Sequence, residues 1–167
     1  MTQRLTIGID PGLSGSIVTL ADGVPDEVHD MPTAMHGDWK EVDGTRLAAI
    51  LRGIAIKHSG AYVSACVEKV GARPTDGGTS AFRFGESSGK VKAVLEALRI
   101  PYSRVVPAVW KHHFRLLKQG KDASRLLAIK LFPSAADQLK RKKDNGRADA
   151  LLLALWHDNT QNGSVAV

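Results

Sequence analysis

Three acidic residues stand where apolar segments end or begin. Asp10 and Glu68 each close a run with β-strand character, and Asp149 opens an apolar helical segment. Carboxylate oxygens without a neighbouring Cys or His are the ligands that Mg²⁺ and Mn²⁺ prefer. Two like charges 4 Å apart repel by about 4 kcal/mol at an effective dielectric of 20, so a cluster of these acids needs a cation or protonation. If the three acids converge, they predict a divalent-metal site.

Each acid also has a purely structural explanation. Asp10 precedes Pro11 and Gly12, and Asp-Pro-Gly is a common turn sequence. Glu68 suits a strand end that faces water, and Asp149 suits the positive end of a helix dipole. Convergence depends on which strands are neighbours, and spacing in the sequence does not reveal that. Both interpretations therefore stay open at this point.

The composition favours a polyanionic partner. The 167 residues suit one domain, and the net charge of +6 with a pI near 9.6 is typical of nucleic-acid-binding proteins. Five cations fall within eight positions: Lys140, Arg141, Lys142, Lys143 and Arg147. A run of this kind is usually a solvated loop, but beside carboxylates we interpret it as a phosphate clamp. A metal site next to it predicts phosphodiester chemistry.

The same composition sets expectations about the compartment. The single cysteine, Cys66, excludes an internal disulfide and is typical of a reducing environment. No apolar run approaches the ~20 residues of a membrane span, and the N-terminus lacks a signal-peptide pattern. We therefore expect a cytoplasmic protein.

Hydrophobic periodicity predicts one α/β domain over residues 1–158, with a flexible tail at 159–167. The predicted strands are 4–9, 16–21, 25–31, 62–67 and 100–106. The predicted helices are 45–57, 80–98, 122–132, 148–158 and one that starts at Pro107. Segments 32–43 and 71–78 and the basic run are predicted as loops. The first three strands form a meander in a mixed sheet that has helices on both faces.

Helix 80–98 carries an unusual pair of glycines. Its predicted apolar face consists of Phe84, Val91, Val94, Leu95 and Leu98. Gly85 and Gly89 each cost roughly 1 kcal/mol relative to Ala inside a helix. A close neighbour, either another helix or a symmetry mate, would explain that cost, so this helix is our candidate for a dimer interface.

Four motifs in register carry a family resemblance. They are residues 7–12 (IGIDPG), 67–70 (VEKV), 80–89 (SAFRFGESSG) and 147–151 (RADAL). The chain resembles the RuvC-type Holliday junction resolvases of the ribonuclease H-like superfamily, especially divergent phage-encoded forms, from residue 4 to about 157. Actin-like ATPases also open on an Asp-x-Gly hairpin, but this chain is short and lacks their second phosphate-binding glycine motif.

The resemblance implies a ribonuclease H-like fold with a five-stranded mixed sheet, a homodimer, and a bacterial or phage-infected host cell. It implies paired symmetric nicks in four-way DNA junctions, made with two Mg²⁺ ions (or Mn²⁺) and leaving 5′-phosphates. Asp10, Glu68 and Asp149 match three of the four catalytic, metal-binding carboxylates of the family. The fourth position, three residues before the last acid, is Gly146 here. Asp144 is interpreted either as the replacement ligand or as a cap of the last helix.

The resemblance also identifies candidate DNA contacts. Lys111 and Lys121 match two basic positions that the family uses near the scissile phosphate. Gly71 stands where family members often carry an aromatic residue that inserts near the junction crossover. The candidates to substitute for that aromatic residue are Arg73, Phe82 and Trp39, and Arg73 is also a candidate DNA contact. His112 and His113 are interpreted as helix-surface residues.

Two other functions remain open. Gly71 leaves open a relaxed endonuclease that also cuts flaps and forks, because the aromatic residue that family members often carry there is missing. Gly146 favours a catalytically silent junction-binding protein, because the fourth acid is missing. Metal-dependent cleavage of a synthetic junction separates a nuclease from a silent binding protein.

Overall fold

The computed structural model describes residues 2–69, 71 and 77–161. Its strands are β1 (Arg4–Asp10), β2 (Ser16–Ala21), β3 (Val24–Asp30), β4 (Thr33–His36), β5 (Trp39–Val42), β6 (Tyr62–Glu68) and β7 (Tyr102–Val105). Its helices are α1 (Gly44–Lys57), α2 (Gly78–Ala97), α3 (Pro107–His113), α4 (Ala123–Leu131) and α5 (Asn145–Gln161), with 3₁₀ helices at Pro133–Leu139 and Lys142–Asp144. Within these ranges no helix is long and apolar enough to cross a membrane.

The main sheet has five strands in the order β3-β2-β1-β6-β7. The meander β1-β2-β3 is antiparallel, whereas β6 lies parallel to β1 and β7 lies parallel to β6. The predicted mixed sheet is therefore confirmed. Ile9 is opposite Val67 in the parallel pair, so Asp10 and Glu68 lie side by side at the carboxyl ends of β1 and β6.

Helices cover both faces of this sheet, as predicted. On one face, α1 and α2 pack against a core that includes Leu5, Ile7 and Ile9 of β1. On the other face, α5 packs against β1 and β2 in a second core. Strand side chains alternate between faces, which puts Gly8 opposite α5. A Cβ at Gly8 would overlap the Ala150 carbonyl oxygen, so only glycine lets α5 lie this close to β1.

The segment 32–43 is a β-hairpin, so its prediction as a loop was wrong. Strands β4 and β5 pair antiparallel, with His36 opposite Trp39. The turn between them uses Gly37 at a φ of +60°, a left-handed conformation that glycine adopts at little cost. Most side chains of the hairpin are exposed, so its sequence lacks the apolar alternation that announces a half-buried strand.

The region around α5 also differs from the prediction. The helix starts at Asn145 rather than 148 and ends at Gln161 rather than 158, and residues 162–167 lie outside the described residues. Part of the basic run, predicted as a loop, forms the 3₁₀ helix Lys142–Asp144, which leads directly into α5. Other boundaries differ by one or two residues, the usual uncertainty at helix and strand ends.

Helix α2 buries most of the apolar face that we predicted: Val91 and Leu95 are buried, and Val94 and Leu98 pack against the same core. Phe84 is the exception, and two serines are added. Phe84 is 46% exposed, and the buried positions of the helix are Ser87, Ser88, Val91 and Leu95. Small serine side chains let α2 approach its neighbours, a contact that a hydrophobicity pattern does not reveal. Of the predicted loop 71–78, residue 78 begins α2 and residues 72–76 lie outside the described residues.

Candidate metal-dependent active site

Asp10 is oriented by the turn between β1 and β2. The Gly12 N–H donates to Asp10 Oδ1 at 3.1 Å. A Cβ at Gly15 would lie 2.9 Å from Asp10 Cγ, so a glycine is needed where the turn passes the carboxyl group. Burial and the charge of Asp149 raise the pKa of Asp10, against the effect of the Gly12 hydrogen bond and of Lys111. The hydrogen bond from Gly12 and the close packing of Gly15 therefore fix the orientation of the Asp10 carboxylate at the end of β1.

Glu68 is positioned by a tryptophan. Trp110 of α3 is fully buried, and its Nε1–H donates to Glu68 Oε1 at 3.0 Å. Burial raises the pKa of Glu68 to about 7, and the charges of Asp10 and Asp149 act in the same direction. Glu68 therefore lies close enough to both aspartates for their negative charges to raise its pKa.

Asp149 lies on α5, and the close contact of this helix with Gly8 holds it across β1. Its Oδ2 lies 3.8 Å from Lys111 Nζ, and its Oδ1 is buried without a hydrogen-bond partner. Burial raises the pKa of Asp149, while Lys111 and a hydrogen bond to the Ser124 side chain lower it. One oxygen of this carboxylate thus lacks the partner that a buried polar atom requires.

The structure places Asp10 and Asp149 near enough to Glu68 for both charges to raise its pKa. Among the described residues, however, the carboxylate oxygens of the three acids do not all lie within 4.8 Å of one another. All three have raised pKa values, chiefly because they are buried, and the cation Lys111 opposes the rise at each of them. A divalent cation would relieve this repulsion and give Asp149 Oδ1 a partner. The donors are hard oxygen atoms, so the residues present fit Mg²⁺ or Mn²⁺.

Asp144 is held in an ion pair. Its Oδ1 accepts from Arg141 Nη2 at 2.7 Å, its Oδ2 accepts from the Arg141 N–H at 2.8 Å, and the side chain is only 4% exposed. This pairing holds the pKa of Asp144 below its ordinary value. These contacts fix Asp144 at the end of the 3₁₀ helix just before α5, where it accepts from Arg141 rather than from the first turn of α5.

Gly146 is packed against the turn that carries Asp10. A Cβ at Gly146 would overlap the Ser14 carbonyl oxygen and lie 3.2 Å from the Gly15 Cα. Because both obstacles are backbone atoms, no side-chain rotation relieves them. An acid at position 146 would therefore require the β1–β2 turn to move, which explains in physical terms why glycine stands there.

The predicted DNA contacts fall into two groups. The arginines are engaged within the protein: Arg141 with Asp144, and Arg147 with Asp30 at 2.7 and 2.8 Å. Lys140 lies 2.8 Å from Asp137, and both side chains are exposed. Of the other predicted lysines, Lys111 lies beside Asp149. Lys121, Lys142 and Lys143 are exposed on the surface. Arg73 lies outside the described residues.

The candidate crossover residues lie on the surface. Trp39 and Phe82 are 45% and 67% exposed. The Arg83 guanidinium lies 5.8 Å from the centre of the Trp39 ring, which links the β4–β5 hairpin to α2. His112 is exposed and His113 packs edge-on against Phe114, in keeping with their interpretation as helix-surface residues.

A second group of possible ligands has a simpler explanation. Among the described residues, Asp26, Glu27 and His58 place ligand atoms within 4.8 Å of one another. Lys57 Nζ lies 3.0 Å from Asp26 and 2.9 Å from Glu27. The lysine supplies the positive charge that these acids need, so the group is an ion-pair cluster.

Sequence reasoning missed three residues that shape the site. Trp110 orients Glu68, the Ser124 side chain bonds Asp149, and Gly8 admits α5. Trp110 is the one with a usable signal, since an indole buried near the start of a helix needs a partner for its N–H. Ser124 and Gly8 act through contacts between segments far apart in the chain.

The sheet order, with acids at the end of β1, at the end of β6 and on α5, defines the ribonuclease H-like class of fold. Within this class the fold is that of RuvC, which confirms the resemblance at the level of the fold. Thermus thermophilus RuvC in complex with a Holliday junction substrate matches with a TM-score of 0.66 and 17% identity over 98% of both chains. A second Thermus thermophilus RuvC structure matches with a TM-score of 0.58 and 16% identity, over 98% of this chain and 99% of that one.

One curated relative matches by sequence. It is the chloroplastic Holliday junction resolvase MOC1 of Chlamydomonas reinhardtii, 38% identical over 84 residues. The match spans 50% of this chain and 10% of that protein. No protein-family model matches the sequence.

The pKa of Glu68 predicts a pH effect in metal-free protein. The folded chain holds the Glu68 proton with a pKa of about 7, above the ordinary 4.5, so stability falls as pH rises through this interval. A pKa difference of this size corresponds to about 3 kcal/mol at most. Glu68→Gln should remove this contribution, and urea unfolding in EDTA at pH 5 and pH 8 measures it. From pH 5 to pH 8 we expect the free energy of unfolding of the wild type to fall relative to that of the variant. The same difference in unfolding free energy at both pH values would contradict the raised pKa.

Proposed function

We propose that this protein is a divalent-metal-dependent endonuclease that resolves four-way DNA junctions. The observation that carries the proposal is the convergence of Asp10, Glu68 and Asp149 at one edge of a RuvC fold. The basic surface lysines and the net charge of +6 favour DNA as the substrate. The names of the matched proteins, a Holliday junction resolvase and RuvC bound to a junction, support the four-way junction in particular.

In this proposal Asp10, Glu68 and Asp149 would hold the metal, two Mg²⁺ ions if the resemblance extends to the mechanism. A bound divalent metal would supply activation of water and neutralisation of charge at the scissile phosphate, with 5′-phosphate products as in the family that the chain resembles. The chain itself supplies the geometry. Trp110 and the Gly12 N–H orient two of the carboxylates, and Lys111 adds positive charge where the phosphate would lie.

Two observations favour narrower alternatives. Gly71 in place of an aromatic residue favours a relaxed endonuclease that also cuts flaps and forks. Gly146 in place of the fourth acid, together with the Asp144–Arg141 pair, favours a silent junction-binding protein. The three buried acids with raised pKa values favour a protein that binds a divalent cation, which a metal-dependent nuclease requires.

A panel of labelled DNAs tests the proposal. A four-way junction, a fork, a flap and a linear duplex are each incubated with the protein and Mg²⁺, with EDTA as the control. We expect paired symmetric nicks in the junction and no cutting in EDTA. Equal cutting of forks and flaps would identify the relaxed endonuclease, and tight binding without metal-dependent cutting would identify the silent binding protein.

We propose that the active form is a homodimer joined along α2. Within the described residues, a Cβ at Gly85 or Gly89 would meet no atom within 4 Å, so packing inside the chain does not require either glycine. Phe82 and Phe84 are exposed on the same helix, which offers an apolar surface to a second copy. A C₂ dimer would present two sites to a two-fold-symmetric junction.

Light scattering after gel filtration tests this interface. We expect a dimer for the wild type and a monomer for Gly85→Leu, because the new side chain would separate the two helices. The matched control is Gly53→Leu in α1, which also adds a side chain in open space. A dimeric Gly85→Leu variant would place the interface elsewhere.

A further inference from the structure

Asn145 opens α5, yet its side-chain oxygen caps nothing. An asparagine at a helix start usually accepts a backbone N–H from the first turn. Here Asn145 Oδ1 is buried and has no hydrogen-bond partner. An unsatisfied buried oxygen costs about 1–3 kcal/mol, so a protein that keeps one at this position is expected to use it.

Asn145 and Asp149 are one helical turn apart. Residues four apart on a helix lie on the same face, with their Cβ atoms about 5–6 Å apart. Asp149 Oδ1 is also buried without a partner. This end of α5 lies against the turn of Asp10, as the contact between Gly146 and Ser14 shows. Two partnerless oxygens therefore share one face of α5 beside the other acids.

The residues on either side of Asn145 cannot offer a further ligand oxygen in this structure. Both oxygens of Asp144 are engaged by Arg141, and Gly146 has no side chain and no room for one. An amide carbonyl oxygen is a hard ligand that divalent cations accept alongside carboxylates.

We infer that the Asn145 side-chain oxygen is a neutral fourth ligand of the divalent cation. The inference rests on the proposed metal-dependent function and adds a ligand to its site. A neutral ligand gives the donor set three negative charges where four acids would give four. The site should therefore bind metal more weakly than a four-acid site, and a carboxylate at 145 should strengthen it.

Calorimetric titration with Mn²⁺ tests the inference on the full chain. Asn145→Ala should weaken Mn²⁺ binding by about tenfold, the scale of losing one group around a metal. Asn145→Asp, which has nearly the same shape, should tighten binding and increase the rise in melting temperature that Mn²⁺ produces. The matched control is Asn159→Ala, near the other end of α5 and about 21 Å away along the helix, which should leave binding unchanged.

The Mg²⁺ dependence of junction cleavage gives a second measurement. Asn145→Ala should need more Mg²⁺ for half-maximal cleavage and recover at high Mg²⁺, which a purely structural asparagine would not show. Wild-type Mn²⁺ affinity in both Asn145 variants, with binding lost in Asp10→Asn, would overturn the inference and leave the proposed function standing. Unchanged Mn²⁺ binding in Asp10→Asn would overturn the proposed function and the inference with it.

Discussion

Replacing Asp10 by Asn is expected to lower the rate of junction cleavage by about 10³-fold or more, because in the proposed function Asp10 would be a metal ligand that supplies several kcal/mol of transition-state stabilisation. The variant keeps the side-chain shape and the oxygen that accepts from the Gly12 N–H, so the turn should survive. Junction binding should be retained or improved, since a negative charge near the phosphate is removed. Single-turnover cleavage and a gel-shift titration in EDTA measure the two effects separately.

Matched variants make this result interpretable. Glu68→Gln and Asp149→Asn should behave like Asp10→Asn, because each neutralises one of the converging acids. Asp38→Asn, in the exposed turn of the β4–β5 hairpin, should cleave like the wild type. Asp144→Asn distinguishes the two interpretations of that residue: a loss as large as that of Asp10→Asn would make it a ligand. Wild-type cleavage by Asp10→Asn would end its assignment as an essential ligand.

Replacing Gly8 by Ala is expected to destabilise the protein by about 3 kcal/mol, or to prevent folding, because overpacked cores cost this much when the backbone must shift. The new methyl would overlap the Ala150 carbonyl oxygen and lie 2.7 Å from the Ala154 nitrogen. These are backbone atoms of α5, so the whole helix would have to move away from β1. Urea unfolding followed by circular dichroism measures the loss.

The control for Gly8→Ala is Gly53→Ala in α1. A Cβ there meets no atom within 4 Å among the described residues, so we expect a gain of up to about 1 kcal/mol from helix propensity. Gly8→Ala with wild-type stability would show that α5 can lie further from the sheet. In that case Asp149 would have no fixed position relative to Asp10.

Much of the fold could be predicted because its elements bury regular apolar patterns. Strand β2 was predicted with its observed bounds, and β1 and β6 to within one residue, since each is rich in apolar residues and is bounded by polar or turn residues. The β4–β5 hairpin was missed because its exposed side chains follow no apolar period. Helix α5 begins earlier than its apolar stretch, because the 3₁₀ turn before it supplies the start that hydrophobicity does not mark.

The sequence by itself determined which acids are candidate metal ligands. Asp10, Glu68 and Asp149 stand at the ends of apolar segments, where a charged side chain is costly unless a cation or a hydrogen bond stabilises it. Only the tertiary structure decided that they lie near one another, because the parallel pairing of β1 with β6 and the contact of α5 at Gly8 join residues more than 50 positions apart. It also placed Asp144 against Arg141 and left the Asn145 oxygen without a partner. Such pairings depend on distance in space, which a linear pattern of residue types does not encode.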